Sequence, residues 1–220
     1  MAKDGIQRPP DGAVELEAVC CYIGGKVNHM NADTFAEAVA LGVSSGEWGG
    51  LEAWIFDESR FCYNYEDCHD DDPFDDAVFD LIVGLLGQDD YLGSPGSFNV
   101  LRIVEYDWGR FSENQKSVLL AALEAAYPVF NDPMSWFLSA EILGEYFCDR
   151  NSLEALLRLK RIEGEGARSQ VAFGLGLLAR KASDEGVAAQ AAEHLGRMTD
   201  DPSAVVKGEV HLAKRKRSKP

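Results

Sequence analysis

No stretch of the 220-residue chain comes near the twenty or so uninterrupted apolar residues that a membrane-spanning helix needs. The N-terminal MAKDGIQRPPDG likewise lacks the basic region and apolar run of a secretory signal. A soluble, cytoplasmic protein is expected. Cysteines are few, odd in number and irregularly spaced (Cys20, Cys21, Cys62, Cys68, Cys148), which argues against a disulfide framework and suits a reducing compartment. Most should be small buried apolar residues. Histidines are also few. His29, His69, His194 and His211 are scattered, and none accompanies a nucleophile motif such as Gly-x-Ser-x-Gly. Gly24-Gly25-Lys26 lacks both the spacing of a phosphate loop and the Ser or Thr that should follow its Lys. No cofactor and no catalytic residue is expected.

Basic residues are scarce at one end only. Up to Asp149 the chain holds 7 Lys and Arg against 28 Asp and Glu, a net −21; from Arg150 on it holds 14 against 9, a net +5. An acidic front repels a phosphate backbone and attracts cations. Nucleic acid is therefore disfavoured as a partner for the first two thirds. What the chain does have is 46% hydrophobic and 10% aromatic residues, enough for a substantial core.

From Asn114 onward apolar residues recur at helical spacing, and caps divide them into six helices. Ser112 and Gln115 have the capping-box form ahead of QKSVLLAALEAAY, which stops at Pro128. Asn131-Asp132-Pro133 opens a helix whose buried side is Trp136, Phe137, Ala140, Ile142, Leu143 and Phe147. Asn151-Ser152 should cap LEALLRLKRI, and Gly164 and Gly166 precede ARSQVAFGLGLLARKA. Asp184 precedes GVAAQAAEHLGRM, and Asp200-Asp201-Pro202 leads into SAVVKGEVHLAKRKR. Gly174 and Gly176, costly inside a helix, should permit close helix packing.

The last four helices repeat at an offset of 35 residues: Val171, Leu175, Leu177, Arg180 and Lys181 align with Val206, Val210, Leu212, Arg215 and Lys216. Such a period with two helices per unit marks a helical solenoid. DDPSAVVKGEVHLAKR resembles the inner helix of HEAT-like repeats, with a likeness running from about Asn114 to Arg217. The alternative is an ordinary helix bundle. The resemblance implies an extended surface that works by binding.

The front reads as α+β. Ala13–Gly25 alternates like a strand, and NADTFAEAVALGV after Asn31 is a capped helix. LEAWIF and RFCYNY form a hairpin around Asp57-Glu58-Ser59; Pro73–Leu86 is a helix, and NVLRIVEYDW (Asn99–Trp108) is a strand. The expected fold is mainly α: an acidic α+β region over 1–111, HEAT-like hairpins over 112–217 packed on it, and a disordered basic tail at 218–220.

Cys62 to Asp80, CYNYEDCHDDDPFDDAVFD, carries two thiols, one imidazole and eight carboxylates. Zinc is disfavoured, since five residues separate Cys62 from Cys68 and His69 has no paired ligand. A calcium loop fails because Pro73 and Phe74 interrupt the alternation of oxygen ligands. Asp70, Asp71, Asp72 and Asp75 could hold magnesium, which would open a metal-dependent hydrolase as one reading. Asp72 before Pro73 is expected to cap the following helix, with its neighbours at the positive end of the dipole. The surplus acids, beside Phe61, Tyr63, Tyr65, Phe74 and Tyr91, suit a basic protein partner. Partner contacts are expected at Tyr63, Tyr65, Glu66, Asp67, Asp70, Asp71, Asp72, Asp75, Asp76, Asp89 and Asp90. In size, solubility and charge the chain also resembles cytoplasmic immunity proteins that bacteria make against their own toxins. That resemblance implies a non-catalytic inhibitor of a basic toxin domain, with a HEAT-like scaffold or regulator as the alternative.

Overall fold

Polar residues standing just before apolar runs set most of the helix boundaries. The computed structural model describes residues 32–46, 48, 73–94 and 96–217. Helix α1 spans Ala32–Ser45, α2 Asp76–Leu86, α3 Asp89–Leu92, α4 Phe98–Tyr106 and α5 Glu113–Ala126. Next come α6 Pro133–Glu141, α7 Arg150–Leu159, α8 Glu165–Lys181, α9 Glu185–Arg197 and α10 Ala204–Arg217. A π-helical run, Ile142–Phe147, continues α6, and tight 3-10 turns lie at Trp108–Arg110 and Met198–Asp200. The described residues contain no strand, and none of their helices is long and apolar enough to cross a membrane. The strand expected at Ala13–Gly25, the hairpin at 51–65 and the tail at 218–220 lie outside the described residues.

Three expectations are corrected. Asn99–Trp108 is not a strand: Phe98–Tyr106 is helical, burying Val100, Leu101, Ile103 and Val104. That is a period near 3.6, which puts Val100 and Val104 on the core side but turns Arg102 outward. Packing overrides the β preference of Val and Ile. Asp72 does not cap α2; Asp75 does, its Oδ1 accepting from the Ala77 and Val78 N–H groups at 2.8 and 3.1 Å. The helix cannot begin at Pro73 because Phe74 is drawn into the core against Phe111, ring centroids 4.7 Å apart, with its N–H on the Arg110 carbonyl. Asp149, not Asn151-Ser152, caps α7, exchanging hydrogen bonds with Ser152 in a capping box. The boxes and caps expected at Ser112/Gln115, Asp132 and Asp184 are present.

From α5 to α10 successive helices alternate between two layers. In one, α6, α8 and α10 pack in order; in the other, α5, α7 and α9 do. Arg158 on α7 reaches back to Glu124 on α5, and Lys160, at the C-cap of α7, meets His194 on α9 at 3.3 Å. Arg168 on α8 pairs with Asp201 before α10 at 3.0 Å, while Ser203, which caps α10, donates to Glu165 at 2.6 Å. The 35-residue offset survives in burial at Val171 and Val206, and at Leu175 and Val210. It fails at Leu177, 6% exposed, against Leu212, 51% exposed. α8 is covered by α10, whereas no described helix covers the far side of α10.

Close approach depends on glycine, as the sequence implies. A Cβ on Gly174 would stand 2.8 Å from the Ala140 carbonyl oxygen, and one on Gly176 2.6 Å from the Ala213 Cβ. Gly144 lies directly on the Gly174 backbone.

Two apolar clusters form the core. One runs from Trp48 and Phe74 through Ile82, Leu101 and Leu123 to Leu138 and Ile142; the other runs from Tyr127 and Leu143 through Leu156 and Leu175 to Val210. The neighbours Ile142 and Leu143 thus enter different clusters, and the π-helical turn holds the seam. Trp136 and Phe147 pack against both.

The Arg168–Asp201 pair makes stability depend on pH. The Arg168 guanidinium, hydrogen-bonded to Asp201, holds that carboxyl below its ordinary value of 3.8. A depressed carboxylate stabilises the fold above the unfolded value and loses the effect as pH falls through the folded one. Asp201→Asn should therefore cost about 1 kcal/mol near pH 7, with the gap to the unsubstituted protein closing as pH falls below the ordinary carboxylate value. Thermal melts across that range check it.

Candidate functional site

The described members of the acidic run are separated by structural duties. Asp75 is spent on capping α2, and Asp76 accepts from Gln115 Nε2 at 2.9 Å, tying α2 to the start of α5. Asp89 and Asp90 are exposed on α3, just beyond the C-terminal end of α2. Tyr63, Tyr65, Glu66, Asp67, Asp70, Asp71 and Asp72 lie outside the described residues. Among the described residues no group of three or more His, Cys, Asp and Glu side chains is placed to hold a metal ion.

A different set of residues converges above the core seam. The last turn of α4 ends at Asp107, which is buried and paired to Arg110 at 2.5 Å, and this ion pair fixes the tight turn that presents Trp108. Tyr146 and Phe147 come from the π-helical run. Their ring centroids lie 5.7 and 4.6 Å from Trp108, both edge-on. The run ends at Cys148, whose left-handed backbone (φ 51°) is rare for a residue with a side chain. It reverses the chain into the Asp149 cap. π-helical turns and left-handed non-glycine residues concentrate at functional sites.

Two hollows flank Tyr146. One, about 410 Å³, is lined by Arg102, Glu105, Tyr106 and Tyr146. The other, about 240 Å³, lies among Trp108, Glu113, Lys116, Tyr146, Phe147 and Asp149. The Tyr146 hydroxyl donates to Glu105 at 3.2 Å and so divides them.

Negative charge gathers around the larger hollow. Burial, then Glu105 and Glu145, push the Glu141 carboxyl above its ordinary value, with Arg102 opposing. The Tyr146 phenol is pushed up to about 12 by burial first and by Glu105, Glu141 and Glu145 after it. Cys148 is likewise raised, by burial and then by Glu145 and Asp149, which leaves its thiol protonated and a poor nucleophile. Glu145 is paired to Lys181 at 2.8 Å, but among the described residues no Lys or Arg forms an ion pair with Glu105 or Glu141.

No protein-family model matches the chain, and no curated protein or solved structure is significantly similar to it.

The arrangement can seat a cation: carboxylates supply charge, and aromatic walls supply area and ring faces. Sequence reasoning missed it because it took Asn99–Trp108 for a strand. Read as a helix, Arg102, Glu105 and Tyr106 stand at i, i+3 and i+4 on one face, and Glu141 and Glu145 form an i, i+4 pair. Those spacings were the available signal.

Proposed function

We propose that this protein is a non-catalytic binding module that holds a basic protein partner, acting as an inhibitor of immunity type. The observation that carries the reading is the hollow at Tyr146. There Glu105 lines the hollow with Arg102, exposed Tyr106 and half-buried Tyr146, and Glu141 is close enough to couple electrostatically to Glu105 and Tyr146. Arg102 offsets only part of the mutual repulsion that raises the Glu141 carboxyl, and a guest cation would relieve more of it. The net −21 of the first 149 residues draws such a partner in and favours fast encounter at low salt. The layered hairpins from α5 to α10 fit a HEAT-like stack, whose usual work is to present surface for binding.

Calorimetric titration with a hexa-arginine peptide tests the proposal. Binding should be detectable at low salt and should weaken steadily as salt rises. Absence of binding at low ionic strength, in a protein shown to be folded by circular dichroism, would rule the reading out.

A further inference from the structure

The smaller hollow already contains a cation of the chain's own. Lys116 Nζ stands 5.4 Å from the centre of the Trp108 ring, and the side chain is only 23% exposed. Its carboxylate partner, Glu113, is 2.9 Å away but 91% exposed, so the tether is a weak, solvent-screened i, i+3 pair. Tyr146 and Phe147 pack edge-on against Trp108, while Lys116 lies over its ring, the kind of face an ammonium or guanidinium takes. Asp149 lines the same hollow, but its carboxylate already caps α7.

We infer that Lys116 occupies, from within, the place that an arginine of the basic partner takes over Trp108, so that the hollow is self-occupied until a guest displaces it. The inference rests on the binding reading above and adds to it the partner group and the residue that competes with it. The exchange is nearly neutral in charge. A guest cation meets Glu113 and Trp108, and Lys116 swings out to regain its water. The hollow of about 240 Å³ lies beside Lys116, so departure of that side chain would enlarge it further for a basic guest side chain. A planar guanidinium stacks on an indole better than an ammonium does and is less strongly hydrated, so arginine should be preferred over lysine. Tyr146 lines both hollows, so a second cation two or three residues along the same segment would fall beside Glu105 and Glu141.

The test compares three variants with hexa-arginine as the probe. Lys116→Met keeps the alkyl stem on Trp108 and removes the charge; Lys116→Arg strengthens the internal occupant. Arg161→Met removes one exposed charge from the turn that follows α7, at the opposite end of that helix from Asn151, and controls for net charge. Affinity should rise about 5-fold in Lys116→Met, fall below the unsubstituted protein in Lys116→Arg, and change less than 2-fold in Arg161→Met. Hexa-lysine should bind more weakly than hexa-arginine, with a smaller gain from Lys116→Met. Equal affinities across the Lys116 variants, or equal gains in Lys116→Met and Arg161→Met, overturn the displacement while leaving the binding module intact. Failure of every variant to bind at low salt overturns the binding reading itself.

Discussion

Gly144→Ala should destabilise the protein by about 3 kcal/mol, lowering the melting temperature by roughly 6–12 °C. Added methyl groups in a packed core usually cost about 1–3 kcal/mol because side chains can shift aside. Here the obstacle is main chain: a Cβ on Gly144 would meet the carbonyl oxygen, carbonyl carbon and Cα of Gly174. Neither partner can rotate away, so the π-helical run and α8 would have to separate, opening the second core cluster along Leu143, Leu156 and Leu175. Gly208 supplies the contrast. A Cβ there meets nothing within 4 Å, so Gly208→Ala should stabilise α10 by about 0.5–1 kcal/mol through helix propensity alone. Opposite signs for two glycine-to-alanine changes, read by chemical denaturation, would separate close packing from propensity. If Gly144→Ala melted with the unsubstituted protein, the layer contact would not be as drawn.

The second large effect is on binding. Replacing both Glu105 and Glu141 by glutamine should weaken hexa-arginine binding about 30-fold, close to 2 kcal/mol, and flatten its salt dependence. The same change should leave the fold slightly more stable. Glu141 has its carboxyl raised by burial and then by Glu105 and Glu145. A group whose folded value lies above its unfolded one binds its proton better when folded, so the fold loses stability as pH rises past the ordinary 4.5. At neutral pH the ionised carboxylate is a net penalty. Glu141 and Glu145 are also like charges one turn apart, a pairing that costs about 0.2–0.5 kcal/mol. Removing it should lift the melting temperature by about 1–2 °C near pH 7, with no gain below about pH 4. Weaker binding together with a firmer fold would mark these acids as kept for recognition. Loss of both would mark them as structural.

How much of this was legible in the sequence follows from how local each signal is. Ser112 with Gln115, Asp132 before Pro133 and Asp184 announce helices because a cap and its first turn are neighbours in the chain. The close packing at Gly174 was legible for the same reason, as two glycines interrupting an otherwise good helix. Asn99–Trp108 was misread because its Val and Ile residues favour strands in isolation, while the helix is imposed by packing α4 against α6. Asp75 rather than Asp72 caps α2 because Phe111, 37 residues on, claims Phe74. The site was the least legible part. Glu105 and Tyr146 touch across 41 positions, and Trp108 meets Phe147 only because the chain returns through two helices. The acidic run from Cys62 to Asp80 drew attention by density, yet of its described acids Asp75 caps α2 and Asp76 links it to Gln115.

The seam at Ile142 and Leu143 has a consequence for how a guest is recognised. Two adjacent residues are committed to different cores, and Phe147, which forms one wall of the hollow, packs against both. In the proposed binding reading the aromatic walls cannot fold down over a ligand without disturbing both clusters, so admitting a guest would require only Lys116 to move. The loss of freedom would then fall mainly on the guest chain. Discrimination between partners then comes from how well a cation and its neighbours match a fixed shape.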